Sequence, residues 1–282
     1  MPSAERGSRL HDGKRAETRP TALITGGSSG IGKELARLFH RAGYRVLIAA
    51  LDRTELAQTK RELLAAGNDT RIDTLTLDLS RQGAAARIVR WTRSLGAEVD
   101  VLVNNAGFGL WGQAVELPLP EVRSMLAVNI TAATELCHAI GGLMKARGRG
   151  SILNVASTAS FQPVPYMAAY AASKCYLASF TAALAAELRP FGVAVSILHP
   201  GTTRTNFLSR AGINPGSRAS LGGLAHAIAM DPADVAAAGF AAVLHGRRRA
   251  IPGALNRLQF LATRLLPGFA IMAMAKKIFK KP

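Results

Sequence analysis

The chain has 282 residues, 49% of them hydrophobic and 19% charged. That balance excludes wholesale disorder and supplies enough apolar surface for one full core. The formal net charge is +17, which implies an anionic partner or serves solubility and says nothing about fold.

Residues 1–19, MPSAERGSRLHDGKRAETR, mix both charge signs without an apolar run. They predict a flexible arm rather than a secretory leader or membrane segment. From residue 20, short runs rich in Val, Ile and Leu alternate with helix-length segments: TALITG, YRVLIAA, IDTLTLDLS, DVLVNNAG, SILNVAS and VAVSILHPG. Helices are predicted to begin near Gly30, Arg53, Gln82, Leu119 and Pro165, and a last short strand near Arg249 to Ile251 after DPADVAAAGFAAVL. Near-continuous apolar strands separated by helices imply a parallel sheet covered on both faces. Right-handed crossovers then give an α/β, Rossmann-like, doubly wound fold of about seven strands, with its crevice at the carboxyl ends of the strands. Cys137 and Cys175 lie in apolar helical sequence and read as small core residues of a reduced compartment. A cytoplasmic location is expected on that ground.

Three stretches carry chemistry. The first strand runs into TGGSSGIG, with Gly26, Gly30 and Gly32. The spacing is not GxGxxG, because one further residue precedes the second glycine. The physics is shared nonetheless: glycines let the backbone turn sharply, and the next helix offers free N–H groups and a positive dipole end to a pyrophosphate. An ordinary strand-to-helix turn could carry the same glycines, so the turn alone does not decide. The fourth strand ends in NNAG, Asn104 to Gly107, and the third in LDLS, where Asp78 could accept from an adenine amino group. In YMAAYAASK, Tyr166, Tyr170 and Lys174 stand four apart and share one face if the segment is helical. Ser157 lies thirteen residues before Tyr170, at the end of SILNVAS.

The order TGGSSGIG, LDLS, NNAG, Ser157, YAASK and HPG resembles the short-chain dehydrogenase/reductase family over about residues 20 to 250. The resemblance implies that Thr25, Gly26, Ser28, Ser29, Gly30, Ile31 and Gly32 form the pyrophosphate turn and that Asp78 and Leu79 border adenine. It implies that Asn104, Ala106 and Gly107 support the central sheet and touch the adenosine ribose. Pro200, Gly201, Thr203 and Thr205 are expected beside the nicotinamide, its carboxamide and the phosphates. Tyr170 is implied as general acid/base, Lys174 as its modulator and a ribose ligand, and Ser157 as orienter of the substrate carbonyl. Asn129, in MLAVNITA, is implied as the residue whose backbone bends a helix to hold a water linking Lys174 to solvent. His199 is expected to be a strand residue rather than a catalyst. The chemistry is consistent: a carbonyl accepting hydride needs an acid at the developing alkoxide, and a nearby ammonium should lower the phenol's pKa from about 10.

The second strand ends Ala49-Ala50-Leu51, with neither the acidic residue that marks NAD nor the arginine common in NADP-preferring relatives. Arg53 remains to reach a phosphate, with Asp52 opposing it, and the reading inclines to NADP(H) over NAD(H). Tyr166 and Phe207 are expected at the substrate mouth with Ser157. For Tyr166 a capping or core aromatic stays an equal reading. Residues about 206–229, with Gly212, Gly216, Gly222 and Gly223 and the apolar Phe207, Leu208, Ile213 and Leu221, read as a substrate lid for a lipophilic carbonyl or alcohol.

After Asp234 no acidic residue occurs, while Arg247, Arg248, Arg249, Arg257, Arg264, Lys276, Lys277, Lys280 and Lys281 supply nine positive charges. Leu255 to Leu266 predict one helix, Pro267-Gly268 a break, and Phe269 to Phe279 another. Neither reaches the length of a transmembrane span. Two readings stay open for this extension: helices packed on the body or a second subunit, and an interfacial anchor on anionic lipid. The organisation expected is an arm over 1–19, a catalytic dinucleotide-binding domain over 20–252 and a basic helical extension over 253–282. No metal site and no specific nucleic acid are expected, since the histidines are scattered and no recognition motif accompanies the charge. The leading function is an oxidoreductase acting on a small-molecule carbonyl/alcohol pair (CH–OH donors). The alternative is a non-catalytic dinucleotide-binding regulator or scaffold on the same fold. The resemblance also implies a homodimer or homotetramer, for which Ala171, Ala178, Ala182 and Ala186 would permit close helix contact.

Overall fold

A computed structural model describes residues 19–67, 70–213 and 228–279. Its strands are β1 (Thr21–Thr25), β2 (Arg45–Ala50), β3 (Ile72–Thr76), β4 (Val101–Asn104), β5 (Gly150–Val155), β6 (Val193–Leu198) and β7 (Arg249–Ala250). They form one parallel sheet in the order β3-β2-β1-β4-β5-β6-β7. The order reverses between β1 and β4, which opens a crevice at their carboxyl ends.

Helices α1 (Gly30–Arg41), α2 (Arg53–Ala65), α3 (Ala84–Ser94), α4 (Leu119–Leu126), α5 (Ala133–Arg147), α6 (Ala168–Leu188), α7 (Phe207–Arg210) and α8 (Pro232–Leu244) connect the strands. Strand alternation sorts the core into two layers. Leu23, Leu47 and Leu102 face one side, over Ile88 of α3 and Leu136 and Ile140 of α5. Ala22, Ile24, Val46, Ile48 and Val103 face the other, over Leu35 and Phe39 of α1 and Val235 of α8. Two further helices, α9 (Ala254–Leu265) and α10 (Gly268–Phe279), follow the last strand, as the sequence predicts.

The continuous helical run Leu119–Arg147 is long and apolar enough to cross a membrane. One face of it packs in the core, where Met125, Leu136, Ile140 and Met144 are fully or almost fully buried, and 39% of its apolar window is buried in all. Two helix starts differ from expectation. α3 begins at Ala84 because Gly83 takes a left-handed φ of 75°. α6 begins at Ala168 because Tyr166 itself sits at φ 64°, outside any helix. Tyr166 therefore does not continue the stripe of Tyr170 and Lys174. Most of the expected lid, including Gly216, Leu221, Gly222 and Gly223, lies outside the described residues, as does nearly all of the N-terminal arm.

Candidate active site

The glycine turn fits an anionic ligand because its backbone turns tightly and the helix it opens is uncapped. Gly26 (φ 64°) brings the turn so close to β4 that an added Cβ would stand 2.9 Å from the Ala106 Cα. Gly30 (φ 53°) opens α1, and its missing Cβ leaves room for the Thr205 methyl group. Ser29, the N-cap of α1, makes no side-chain cap, and the first turn holds no acid. The first N–H groups of α1 therefore face a cleft lined by Ser28, Ser29, Gly30 and Ile31, a geometry suited to pyrophosphate.

The cleft, of about 1020 Å³, runs from this turn past Asp78 and Leu79, then Ala106 and Gly107, to Ser157, Tyr170 and Lys174. Pro200, Gly201, Thr203, Thr205 and Phe207 complete the lining. Asp78 accepts from the Ser80 N–H (2.9 Å), the Ser80 hydroxyl (2.7 Å) and Arg81 (3.2 Å). Chiefly through Ser80, its carboxyl is held below the usual range. Arg53 lines the cleft beside Leu51 and Asp52, but Asp52 is occupied, capping α2 through the N–H groups of Thr54 and Glu55.

Five predicted residues do not line the cleft, each for a physical reason. Thr25 ties β1 to β4: its hydroxyl accepts from the N–H groups of Asn105 and Ala106, both at 3.1 Å. Gly32 lies under the turn, where a side chain would collide with the Gly26 carbonyl. Asn104 points into the core and donates to Asn154 at 2.8 Å. Its neighbour Asn105, which does line the cleft, clamps the carbonyls of Thr25 and Gly26 at 3.0 Å. Tyr166, displaced by its backbone conformation, is absent from the lining, and Met167 and Val164 stand there instead.

Asn129 is the fifth. It sits in a π-helical segment, Ala127–Ala132, which widens the junction of α4 and α5. Its side chain brackets the Phe108 backbone, accepting at 3.1 Å and donating at 3.0 Å, and donates to the Ser173 hydroxyl at 3.0 Å. Ser173 in turn donates to the Tyr170 carbonyl at 2.6 Å. Gly107 fills the gap, since a Cβ there would lie 2.9 Å from Asn129 Oδ1 and 3.1 Å from Lys174 Nζ.

Tyr170 and Lys174, one turn apart on α6, are both buried. The Lys174 ammonium donates to the Val155 carbonyl at 3.0 Å and lies 5.9 Å from the Tyr170 ring centre. Desolvation dominates both groups. It pushes Tyr170 up to about 12, against an opposing hydrogen bond from Ser157, and Lys174 down to about 8. The expected net lowering of the tyrosine is thus not found, because burial is the largest influence on the phenol and raises it.

Ser157 caps the short 3₁₀ turn Thr158–Phe161, accepting from the Ala159 N–H at 3.1 Å. His199 secures this turn, its Nδ1 lying 2.9 Å from the Ser160 hydroxyl and 3.3 Å from the Ser157 carbonyl oxygen. Burial lowers its pKa to about 4, so it is neutral, and it lies one residue past the end of β6 rather than within the strand.

Sequence reasoning missed several wall residues. Phe108, Val164 and Met167 join Leu208 and Ile213, which the sequence placed in the lid, in making the Tyr170 end of the cleft apolar, and the Tyr170 and Phe207 rings stand 5.3 Å apart. Glu55 was missed as well. It accepts from the Ser28 hydroxyl at 2.9 Å and pairs with Arg210 of α7 at 2.9 Å. No local motif announces a pair separated by 155 positions.

A switch-point crevice with an uncapped glycine turn at one end and a buried Tyr–Lys pair at the other defines a dinucleotide-binding protein of the Rossmann-like class. A family model described as short chain dehydrogenase matches residues 20–214. The chain belongs to that family of oxidoreductases. It is 32% identical over 267 residues to dehydrogenase/reductase SDR family member 7B of Danio rerio, covering 92% of this chain and 85% of that one. Among solved structures, a short-chain dehydrogenase from Sphingobium yanoikuyae in complex with NADPH superposes with a TM-score of 0.76 at 28% identity, covering 87% of this chain and 93% of that one. A bulky-bulky ketone specific alcohol dehydrogenase from Comamonas testosteroni gives 0.71 at 28% identity, covering 87% and 92%.

Proposed function

We propose that the protein transfers hydride between a nicotinamide dinucleotide, NADP(H) in preference to NAD(H), and the carbonyl or secondary alcohol of an apolar small molecule. The observation that carries this reading is the convergence of Ser157, Tyr170 and Lys174 on one wall of the cleft that the glycine turn opens. When bound, the nicotinamide supplies or accepts the hydride. Every other task falls to the chain. The uncapped start of α1 holds the pyrophosphate, Asp78 and Leu79 border the adenine, and Ala106 and Gly107 let the ribose approach. Pro200, Gly201, Thr203 and Thr205 position the nicotinamide end.

Ser157 and Tyr170 donate to the substrate oxygen as negative charge develops there. Tyr170, held protonated well above neutral pH, gives its proton in reduction and must lose it for oxidation. Lys174 keeps an ammonium 5.9 Å from the centre of the Tyr170 ring and binds ribose. Asn129 fixes α6 through Ser173 and the backbone at Phe108. The apolar wall of Phe108, Val164, Met167 and Phe207 suits a lipophilic substrate, and the bulky ketones of the Comamonas enzyme's description agree with it.

Tyr170→Phe is expected to lower kcat by ~100-fold or more, as loss of a general acid does, while leaving dinucleotide binding measurable by nicotinamide fluorescence. A rate near wild type would remove Tyr170 from the role. The substrates come from a screen of ketones, aldehydes and alcohols followed by nicotinamide absorbance. Cofactor choice rests on Arg53, the basic side chain beside Leu51 and Asp52 on the cleft wall. Michaelis constants should favour NADP(H), and Arg53→Ala should raise the constant for NADP(H) by about tenfold, the loss of one exposed phosphate contact, with little effect on NAD(H). A strong preference for NAD(H) would overturn the cofactor assignment.

A further inference from the structure

The C-terminal helices leave a large apolar face uncovered. α9 docks by one side only. Phe260 packs on Phe161 with ring centres 5.0 Å apart, Asn256 donates to the Pro252 carbonyl at 2.7 Å, and Gln259 reaches the cleft. On the side away from that contact, Leu255, Leu258, Leu261 and Leu265 recur at spacings of three and four residues and are 54–82% exposed. Phe269, at the start of α10, is 78% exposed. Scattered exposed leucines are ordinary, but a row of them along one helix marks an interaction surface.

Charge indicates what covers it. From residue 235 onward the sequence holds no carboxylate. Arg257 and Arg264 flank the leucine row, and Arg249 and Arg264 lie over the Phe260 ring at 4.8 and 4.7 Å. Lys276 is exposed on α10. A second copy would bring the same uncompensated cations to the contact, whereas an anionic bilayer complements them.

We propose that α9 and the start of α10 seat the protein on an anionic membrane surface, with the leucine row and Phe269 at the acyl–headgroup boundary and the flanking arginines at phosphate level. This seat adjoins the site. A second cavity of about 590 Å³, walled by Phe161, Pro165, Cys175 and Met272 of α10, shares Gln162 and Val164 with the cleft. The proposal stands apart from the reaction proposed above, because vesicle binding is read without substrate or cofactor.

The test is co-sedimentation of the full chain with phosphatidylglycerol–phosphatidylcholine vesicles, beside pure phosphatidylcholine vesicles, with light scattering of the free protein. The wild type should partition onto the anionic vesicles, more weakly onto neutral ones and less as salt rises. Leu258→Ser/Leu265→Ser should lose about tenfold or more of that partition without altering the thermal melt or the oligomeric state. If the double variant melts early, Leu265→Ser alone, at the most exposed position of the row, carries the same comparison. Equal partition of wild type and variant would overturn the proposal, as would no binding by either. A smaller oligomer for the variant would show that a second copy covers the face, and would overturn it too.

Discussion

Lys174 is 4% exposed, and its ammonium meets the Val155 carbonyl rather than a carboxylate. Holding it near 8 instead of its ordinary 10.5 means that the charged form costs on the order of 3 kcal/mol in the folded state. The sign follows from proton counting. Below about pH 8 folded and unfolded chains both carry the proton, and the penalty is full. From about 8 to 10.5 the folded lysine has released it while the unfolded one retains it, so stability rises with pH across that window. Urea melts should show the wild type gaining on Lys174→Met as pH climbs from 7 to 10. A constant difference between the two would contradict the burial. Tyr170 moves the opposite way for the same reason, since desolvation always favours the neutral form.

Among the elements, α7 is short and leans on long-range partners. Glu55, in the first turn of α2, holds Ser28 of the glycine turn with one carboxylate oxygen and Arg210 of α7 with the other. The glycine turn and α7 are thereby tied through one side chain. The pair is partly exposed, so its loss should change global stability by less than ~1 kcal/mol. Its effect should be local: Glu55→Gln is expected to speed amide exchange over residues 207–211 several-fold, with the melt nearly unmoved. Unchanged exchange there would mean that α7 is held by its packing alone. The π segment at Asn129 is another such element. MLAVNITA gives no helical periodicity break, and the widened turn is maintained by contacts with Phe108 and Ser173 from elsewhere in the chain.

For the whole molecule, strand and helix order, the parallel sheet and the reversal at β1 and β4 were legible because burial on both faces writes continuous apolar strands. The Ser157, Tyr170 and Lys174 constellation was legible because two of its members lie on one helix and the third follows β5 by two residues. Surface features were less so. Of the alanines expected to admit a neighbouring subunit, Ala171 is 2% exposed and belongs to the core beside Tyr170, while Ala182 and Ala186 remain on the surface. Helical spacing alone could not separate them, because α6 is apolar nearly all round. The sequence by itself determined the class of fold, the glycine turn, the Tyr170–Lys174 spacing and the basic, acid-free end, all of which depend on residue type and near-neighbour spacing. Only the tertiary structure decided that Tyr166 leaves the helix, that Thr25 ties β1 to β4 and Asn104 turns away from the cleft, that burial is the largest influence on the tyrosine's proton affinity, and that α9 turns its leucines outward. Each of these depends on which surfaces meet across the fold, and desolvation and packing are properties of those meetings rather than of any residue alone.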